Sequence, residues 1–205
     1  MSLNKNLFIR KSNASKAYTL NFGPQHPAAH GVLRLVLHTR GETVEQVDPH
    51  IGLLHRGTEK LIETKSYVKS VPYFDRLDYV STISQEHSFV LCLEHLRKVK
   101  VGGFSSLSRM MLTELTRILN HIMAVTTHAL DIGAITPFLW GFEERERLMQ
   151  IYEALSGARM HTAYLRVGGF EKSLPPSLLS EIKIFCASFA SKLIDMEKVL
   201  SNNPI

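Results

Sequence analysis

The sequence predicts an α+β protein: a small N-terminal antiparallel sheet over residues 18–50, followed by a mainly helical bundle over 51–205. Three observations carry this reading. Val32, Leu33, Leu35, Val36 and Leu37 form an apolar run that stops at Arg40-Gly41-Glu42, and the alternating Thr43-Val44-Glu45-Gln46-Val47 follows as its hairpin partner. Leu107, Met111, Leu115, Ile118, Ile122, Val125 and Ala129 recur at spacings of three and four, one face of a 3.6-residue helix. Two later stripes behave likewise, Leu148/Ile151/Tyr152/Leu155 and Ile182/Phe185/Phe189/Leu193/Met196/Leu200, and short Gly/Pro connections join these segments as in a bundle.

Taken in order, residues 1–17 are polar and form a flexible arm carrying Lys5, Arg10, Lys11 and Lys16. No apolar stretch of the kind that follows a secretory leader comes after it, so the arm is read as solvated or lying across a partner, with a targeting peptide as the weaker option. Tyr18 to Phe22 alternate as a strand, and Gly23-Pro24 punctuates them. After Pro49 the chain reads as helical, with a short helix at 58–69 and a longer one at 76–98, broken at Gly102-Gly103. The helix at 106–130 is capped by Ser105 or Ser106 and ended by Gly133 and Pro137. The next covers 142–162, with Glu143, Glu144, Arg145, Glu146 and Arg147 outward, and the last covers 176–200.

The composition, 44% apolar and 21% charged, is that of an ordinary globular chain. A net charge of +5, from 24 basic and 19 acidic residues, is mild and gathers into no stripe, so nucleic acid is not an expected partner. Cys92 and Cys186 are far apart and neither belongs to a CxxC, which excludes a disulfide framework and a self-contained iron–sulfur or zinc-ribbon site, and a reducing compartment is the natural inference. No run of about 18 apolar residues is present, so any membrane link is peripheral or made through partners.

Several polar clusters could carry chemistry. His26 and His30 lie in the Gly/Pro-bounded loop at 23–31, where Pro27 argues against a helical metal-binding pair. Such a histidine serves either as a hydrogen-bonded structural group or as a proton donor near neutral pH. His50, His55 and Arg56 form a polar patch, or simply a helix start with a surface arginine. Tyr73, Phe74, Asp75, Arg76, Asp78, Tyr79 and His87 interleave aromatic and ionisable groups, as an amphipathic ligand site would, or a half-buried helix start. Asp131 is either a turn carboxylate or the buried partner of a histidine. Cys92 and His95 are three apart with no second pair to complete a metal site, and Gly102-Gly103 and Gly168-Gly169 lack the spacing of a phosphate loop. With no haem, iron–sulfur or flavin motif, this chain holds nothing that would carry electrons by itself.

Four stretches share a resemblance: GPQHPAAHG at 23–31, PHIGLLHRGTEK at 49–60, YFDRLDYVS at 73–81 and DIGAITPFLWGFEERER at 131–147. Together they resemble the 49-kilodalton, or D-type, subunit of respiratory complex I, from Tyr18 to Ile205. The resemblance implies a fold like that of the nickel–iron hydrogenase large subunits, of which this chain would hold the first half of the bundle. Family members are roughly twice as long, so the C-terminal half would reside on a second polypeptide, or the chain is a fragment.

The implied function is that of a subunit of the proton-pumping NADH:quinone oxidoreductase, which forms the quinone-reduction site with an iron–sulfur partner subunit. Ubiquinone would be the substrate, no cofactor would be held by this chain alone, and the terminal 4Fe–4S cluster would sit in the partner. Other peripheral-arm and membrane-arm subunits would adjoin it, at the matrix side of the mitochondrial inner membrane or the cytoplasmic side of a bacterial one. The NADH:ubiquinone reductase activity would belong to the complex, the isolated chain being inactive and exposing a helix face. Matched residue by residue, His30 and Tyr79 would contact the quinone headgroup, with Asp131 hydrogen-bonded to the histidine. Arg56, Arg76 and His161 would lie beside the cluster.

Where the hydrogenase cysteines would fall, at about 76–81, this sequence has Asp78 and Ser81, so no metal is implied here. Val167 stands where the family commonly has proline before two glycines. Two other readings compete with this one: a structural assembly subunit without a complete quinone pocket, and a helical interaction domain, for which the 23–31 loop would be needless.

Overall fold

The computed structural model describes residues 17–26 and 31–202, and the chain divides after Arg56 into two units. The N-terminal arm up to residue 16, the stretch 27–30 with His30, and residues 203–205 lie outside the described residues.

In the first unit, β1 (Ala17–Phe22), β2 (Arg34–Arg40) and β3 (Thr43–His50) form one antiparallel sheet in sequence order. Gly41 supplies the positive φ of 63° that the tight turn between β2 and β3 needs. Leu20 pairs with Leu37 and Leu37 with Val47, so apolar side chains align across all three strands, with an irregularity between His38 and Thr39. The apolar run is less buried than its composition suggests. Val32 and Leu33 precede β2 and are exposed, and Thr39 is the one fully buried residue among those described in this unit. A lone three-stranded sheet covers neither of its own faces, so its apolar side chains stay half-exposed.

The second unit is helical: α1 (Thr58–Glu63), α2 (Tyr67–Phe74), α3 (Thr82–Arg97), α4 (Gly103–Asp131), α5 (Ile135–Ser156) and α6 (Pro176–Ser201). A short hairpin, β4 (Leu165–Arg166) and β5 (Gly169–Phe170), interrupts the series. Ile83, Val90, Leu112, Leu148, Tyr152 and Leu178 lie at the centre of the core, each at most 2% exposed. Leu148, Ile151, Tyr152 and Leu155 all point inward, as the periodicity of α5 requires.

Several boundaries differ from the sequence reading, each for a local reason. The segment read as one helix at 58–69 is two, α1 and α2, separated at 64–66. Residues 75–81 form turns and not the start of α3: the amides of Arg76, Leu77 and Ser81 bond three residues back, and the Val80 N–H donates to Asp78 Oδ1 at 3.1 Å. A short aspartate side chain competes here with the helical ladder.

Helix α4 starts at Gly103, so Ser105 and Ser106 lie inside its first turn. Pro137 is the third residue of α5, where the missing N–H has no partner to lose, and Gly133, at φ 101°, makes the break before it. Helix α5 ends at Ser156, short of 162, with left-handed Gly157 as its cap. Glu144, read as outward, is buried and accepts a hydrogen bond from Arg147 Nη1 at 3.0 Å.

The buried face of α4 is rotated from its expected stripe. Leu107 and Val125 are exposed, while Leu112, Thr116, Leu119 and Thr126 face the core. Between α4 and α6 a groove of about 480 Å³ is lined by Ile118, Ile122, Val125, Phe189, Leu193 and Met196. No helix among the described residues is long and apolar enough to cross a membrane.

Helices α4 and α5 approach closely at Gly141, where an added Cβ would lie 2.2 Å from Thr126 Cγ2. Alanine gains about 1 kcal/mol of helix propensity over glycine, whereas overpacking a tight core costs typically about 1–3 kcal/mol. We therefore expect Gly141→Ala to destabilise the chain in thermal unfolding, by up to about 2 kcal/mol. Gly103→Ala, at a position with open space around it, should be neutral or slightly stabilising.

Candidate functional site

Glu86, Val90 and Glu94 stand at i, i+4 and i+8 of α3 and share one face of it, and all three are buried. That face meets the irregular segment 161–170. Glu86 Oε1 accepts a hydrogen bond from Thr162 Oγ1 at 2.7 Å, and its Oε2 accepts one from the Leu165 N–H at 2.8 Å. Asp75, just beyond α2, reaches the same segment: its Oδ2 accepts the Ala163 N–H at 2.9 Å. Asp75 and Glu86 are both fully buried and interact directly.

Two carboxylates in contact cannot bond without a proton between them. Burial, then the hydrogen bond and charge of Glu86, raise the Asp75 carboxyl to about 9, against the weaker pull of the Ala163 N–H and Arg76. At neutral pH the Asp75 carboxyl therefore keeps its proton. The segment they grip contains Ala163 at φ +42°. A non-glycine residue there costs roughly 1–2 kcal/mol, so the conformation persists because its surroundings impose it.

A second fastening lies two turns along α3. Arg109 of α4, 1% exposed, gives both terminal nitrogens to Glu94, each at 2.8 Å. Its Nη2 also donates to the carbonyls of Arg166 at 2.8 Å and Gly169 at 3.1 Å, and Glu94 Oε1 accepts the Gly168 N–H at 2.7 Å. Burial works to raise the Glu94 carboxyl, but the bonds from Arg109 and Gly168 overcome it and hold it below its ordinary value. Removing one partner of such a buried pair typically costs about 3–5 kcal/mol. His87, one residue from Glu86, is pushed below its ordinary value by burial and by the charge of Arg109, and lies 3.2 Å from Thr113 Oγ1.

The sequence-derived candidates fall into this frame unevenly. Arg76 follows Asp75 directly, and its Nη1 donates to the Pro72 carbonyl at 2.6 Å. His161, half-buried, precedes Thr162. The bonds from Asp75 to Ala163 and from Thr162 to Glu86 thus bring the stretches carrying Arg76 and His161 to one place. Tyr79 is 45% exposed in the turn before α3. That turn is tied to the middle of α4 by a bond from Asn120 Nδ2 to Ser81 Oγ at 2.7 Å.

Asp131 is the exposed last residue of α4, roughly 16 Å along the helix axis from Asn120. A carboxylate is disfavoured at a helix C-terminus, so helix stability does not account for it. Arg56, exposed, closes the first unit, and His30 lies outside the described residues. Asp78 and Ser81 are engaged in local hydrogen bonds. Among the described residues no group of three or more His, Cys, Asp or Glu could hold a metal ion.

Glu86, Glu94 and Arg109 are not among the sequence-derived candidates, and Asp75 enters there only within an aromatic cluster. One signal could have found them: Glu86 and Glu94 stand in register with Ile83, Val90 and Leu93, where an apolar face allows a charge only if it is compensated.

The fold and these fastenings define a helical scaffold with a small appended sheet, whose buried charges hold a loop in place. Comparison with known proteins narrows this. The family described as "Respiratory-chain NADH dehydrogenase, 49 Kd subunit" matches residues 131–205. The chain is 60% identical over 190 residues to the "NADH-ubiquinone oxidoreductase 49 kDa subunit" of Reclinomonas americana, covering 93% of this chain and 48% of that one. It is 55% identical over 205 residues to the D-type subunit of the NADH-quinone oxidoreductase of Afipia carboxidovorans, covering all of this chain and 51% of the relative. The 49-kDa subunit of Acanthamoeba castellanii is 57% identical over 195 residues. The chain matches this 49-kDa, or D-type, subunit family at high identity and spans about half the length of the curated relatives it matches.

The shared proton gives the clamp a pH signature. Asp75 has its folded-state value raised far above the ordinary carboxylate value of 3.8. The stability it contributes is therefore complete below that ordinary value and is lost as pH rises towards about 9. Asparagine can donate to Glu86 and accept from Ala163 with no proton to lose. Asp75→Asn should then be more stable than the parent in denaturant unfolding, with a difference that is absent near pH 4, grows from pH 5 to pH 9 and levels off above.

Proposed function

We propose that this chain forms part of the quinone-reduction site of a proton-pumping NADH:quinone oxidoreductase, beside a partner subunit that carries the terminal 4Fe–4S cluster. One observation carries the reading. The identity of 55–60% extends over 93% or more of the chain in these relatives, which are named as subunits of NADH–quinone or NADH–ubiquinone oxidoreductases. The geometry adds support: the turn carrying Arg76 and the loop carrying His161, which the family resemblance assigns to the cluster side, are fastened to each other through Asp75 and Glu86.

In this reading the partner's cluster supplies two electrons, and the side chains of this chain manage the protons. Tyr79 and His30 donate hydrogen bonds to the two quinone carbonyl oxygens and deliver protons as negative charge develops there. Asp131 orients the His30 imidazole and raises its hold on a proton. Arg56, Arg76 and His161 favour the reduced cluster by positive charge and hydrogen bonding. The chain sits peripherally, against membrane-arm and other peripheral-arm subunits, at the matrix face of the mitochondrial inner membrane or the cytoplasmic face of a bacterial one.

Two substitutions test the assignment in the assembled complex. Tyr79→Phe removes one hydroxyl at an exposed position, and Asp131→Asn removes one charge. Each should lower quinone reductase turnover by about tenfold or more, with the complex intact and its cluster signals unchanged. If assembly and activity fell together, both residues would be structural and the chain an assembly subunit.

His161→Met should lower the potential of the partner's cluster and remove its dependence on pH, measured by redox titration with electron paramagnetic resonance. An unchanged, still pH-dependent potential would exclude His161 from that role.

A further inference from the structure

The segment that follows α5 has little regular structure to hold it. Its nearest own backbone bond runs from the Glu171 N–H to the Tyr164 carbonyl, at 3.0 Å. Its conformation also includes the left-handed Ala163, which the chain would not adopt unaided. Its first part is tied to α3 and to the residue after α2 by three hydrogen bonds to two carboxyl groups, made by residues 162, 163 and 165. His161 stands immediately before the first of them.

We propose that Asp75, Glu86 and Thr162 are positioning residues for His161, holding its segment at one distance from α3 and at one setting relative to Arg76. The proposal rests on the reading of His161 as a neighbour of the partner's cluster. A charge acts on a redox centre through its distance, so a histidine on an unanchored loop would give the cluster no definite potential.

The chemistry of the pair favours this role over simple stabilisation. Fully buried carboxyls are costly, and well-packed apolar residues of similar volume would hold two elements together at least as well. What apolar packing cannot do is select particular N–H and O–H groups and so set the register of the loop. Asp75 and Glu86 do so at Thr162, Ala163 and Leu165. Among the charged and titratable groups around the pair are Arg76, which acts on Asp75, and Tyr152 of α5, which lies within the field of Glu86. Because Asp75 adjoins Arg76 and bonds to Ala163, the same carboxyl anchors the stretches that carry Arg76 and His161.

The experiment uses the assembled complex, with the cluster potential read by redox titration and amide exchange of 161–166 read by mass spectrometry. Glu86→Ala removes the acceptors. Thr162→Val, nearly the same size, removes only the hydroxyl and guards against a failure to fold. Glu86→Gln is the conservative control: its oxygen can accept from Leu165 while its amide group donates to Asp75 and Thr162.

Glu86→Ala and Thr162→Val should each speed exchange in this segment by about tenfold or more, equivalent to about 1.4 kcal/mol. Each should also move the potential at least halfway to the His161→Met value, whereas Glu86→Gln should stay near the parent in both readouts. If exchange accelerates while the potential holds, and His161→Met still moves it, the positioning proposal is wrong and the role of His161 stands. If exchange is unchanged in both Glu86→Ala and Thr162→Val, the clamp itself is refuted. If His161→Met moves nothing, the reading of His161 fails and the proposal goes with it.

Discussion

A carboxylate taken out of water must find a partner, and the second unit is organised around two that do so on one face of α3. Glu86 and Glu94 lie two turns apart with Val90 between them, all buried. Each bonds to a stretch, 162–170, that is mostly irregular. Hydrogen bonds to these two side chains shape that stretch: Thr162 and Leu165 bond to Glu86, and Gly168 bonds to Glu94. The hairpin of β4 and β5 is thus largely a consequence of where two glutamates sit on a neighbouring helix.

The two sites solve the same desolvation problem differently. Glu94 is compensated by an opposite charge, held in the two-pronged geometry for which a guanidinium is suited. Glu86 faces Asp75, and the compensation is a proton in place of a cation. The consequences for pH have opposite sign. Glu94, held below its ordinary value, contributes stability that is present above the usual carboxylate range and lost as pH falls through its folded value. The Asp75 contribution weakens in the other direction, as pH rises. The loop is gripped by both together only between those limits.

The helices that frame this loop explain why it can be specified so closely. Tyr152 of α5, buried, meets Thr116 of α4 in a hydrogen bond of 2.6 Å, and burial pushes its phenol up. Gly141 lets α4 and α5 approach to a separation that admits no further methyl group beside Thr126. Phe74 stacks on Phe89 at a centroid distance of 3.9 Å, which sets α2 against α3 and delivers Asp75 to Glu86. Close packing transmits position, so a side chain on one helix can fix a loop more than seventy residues away in sequence.

Whatever depends on neighbours along the chain was legible from the residues alone. Period-two alternation and the Arg40-Gly41-Glu42 break located the hairpin of β2 and β3, and period-3.6 stripes located α4, α5 and α6 with Leu148, Ile151, Tyr152 and Leu155 inward. The motif stretches identified the family because they are long and specific. Which residues a face buries was less legible: α4 presents Leu112 and Leu119 to the core and leaves Leu107 and Val125 outside, since all of them satisfy a helical period about equally and only the neighbouring helices choose. Packing in three dimensions selected the pairing of Asp75 with Glu86, the grip of Arg109 on Glu94, and the attachment of both to 162–170. These contacts join residues between 11 and 88 positions apart, and no local pattern encodes a partner at that distance. A buried charge in a helix records in the sequence only that it must be compensated; where the compensation comes from is settled by packing.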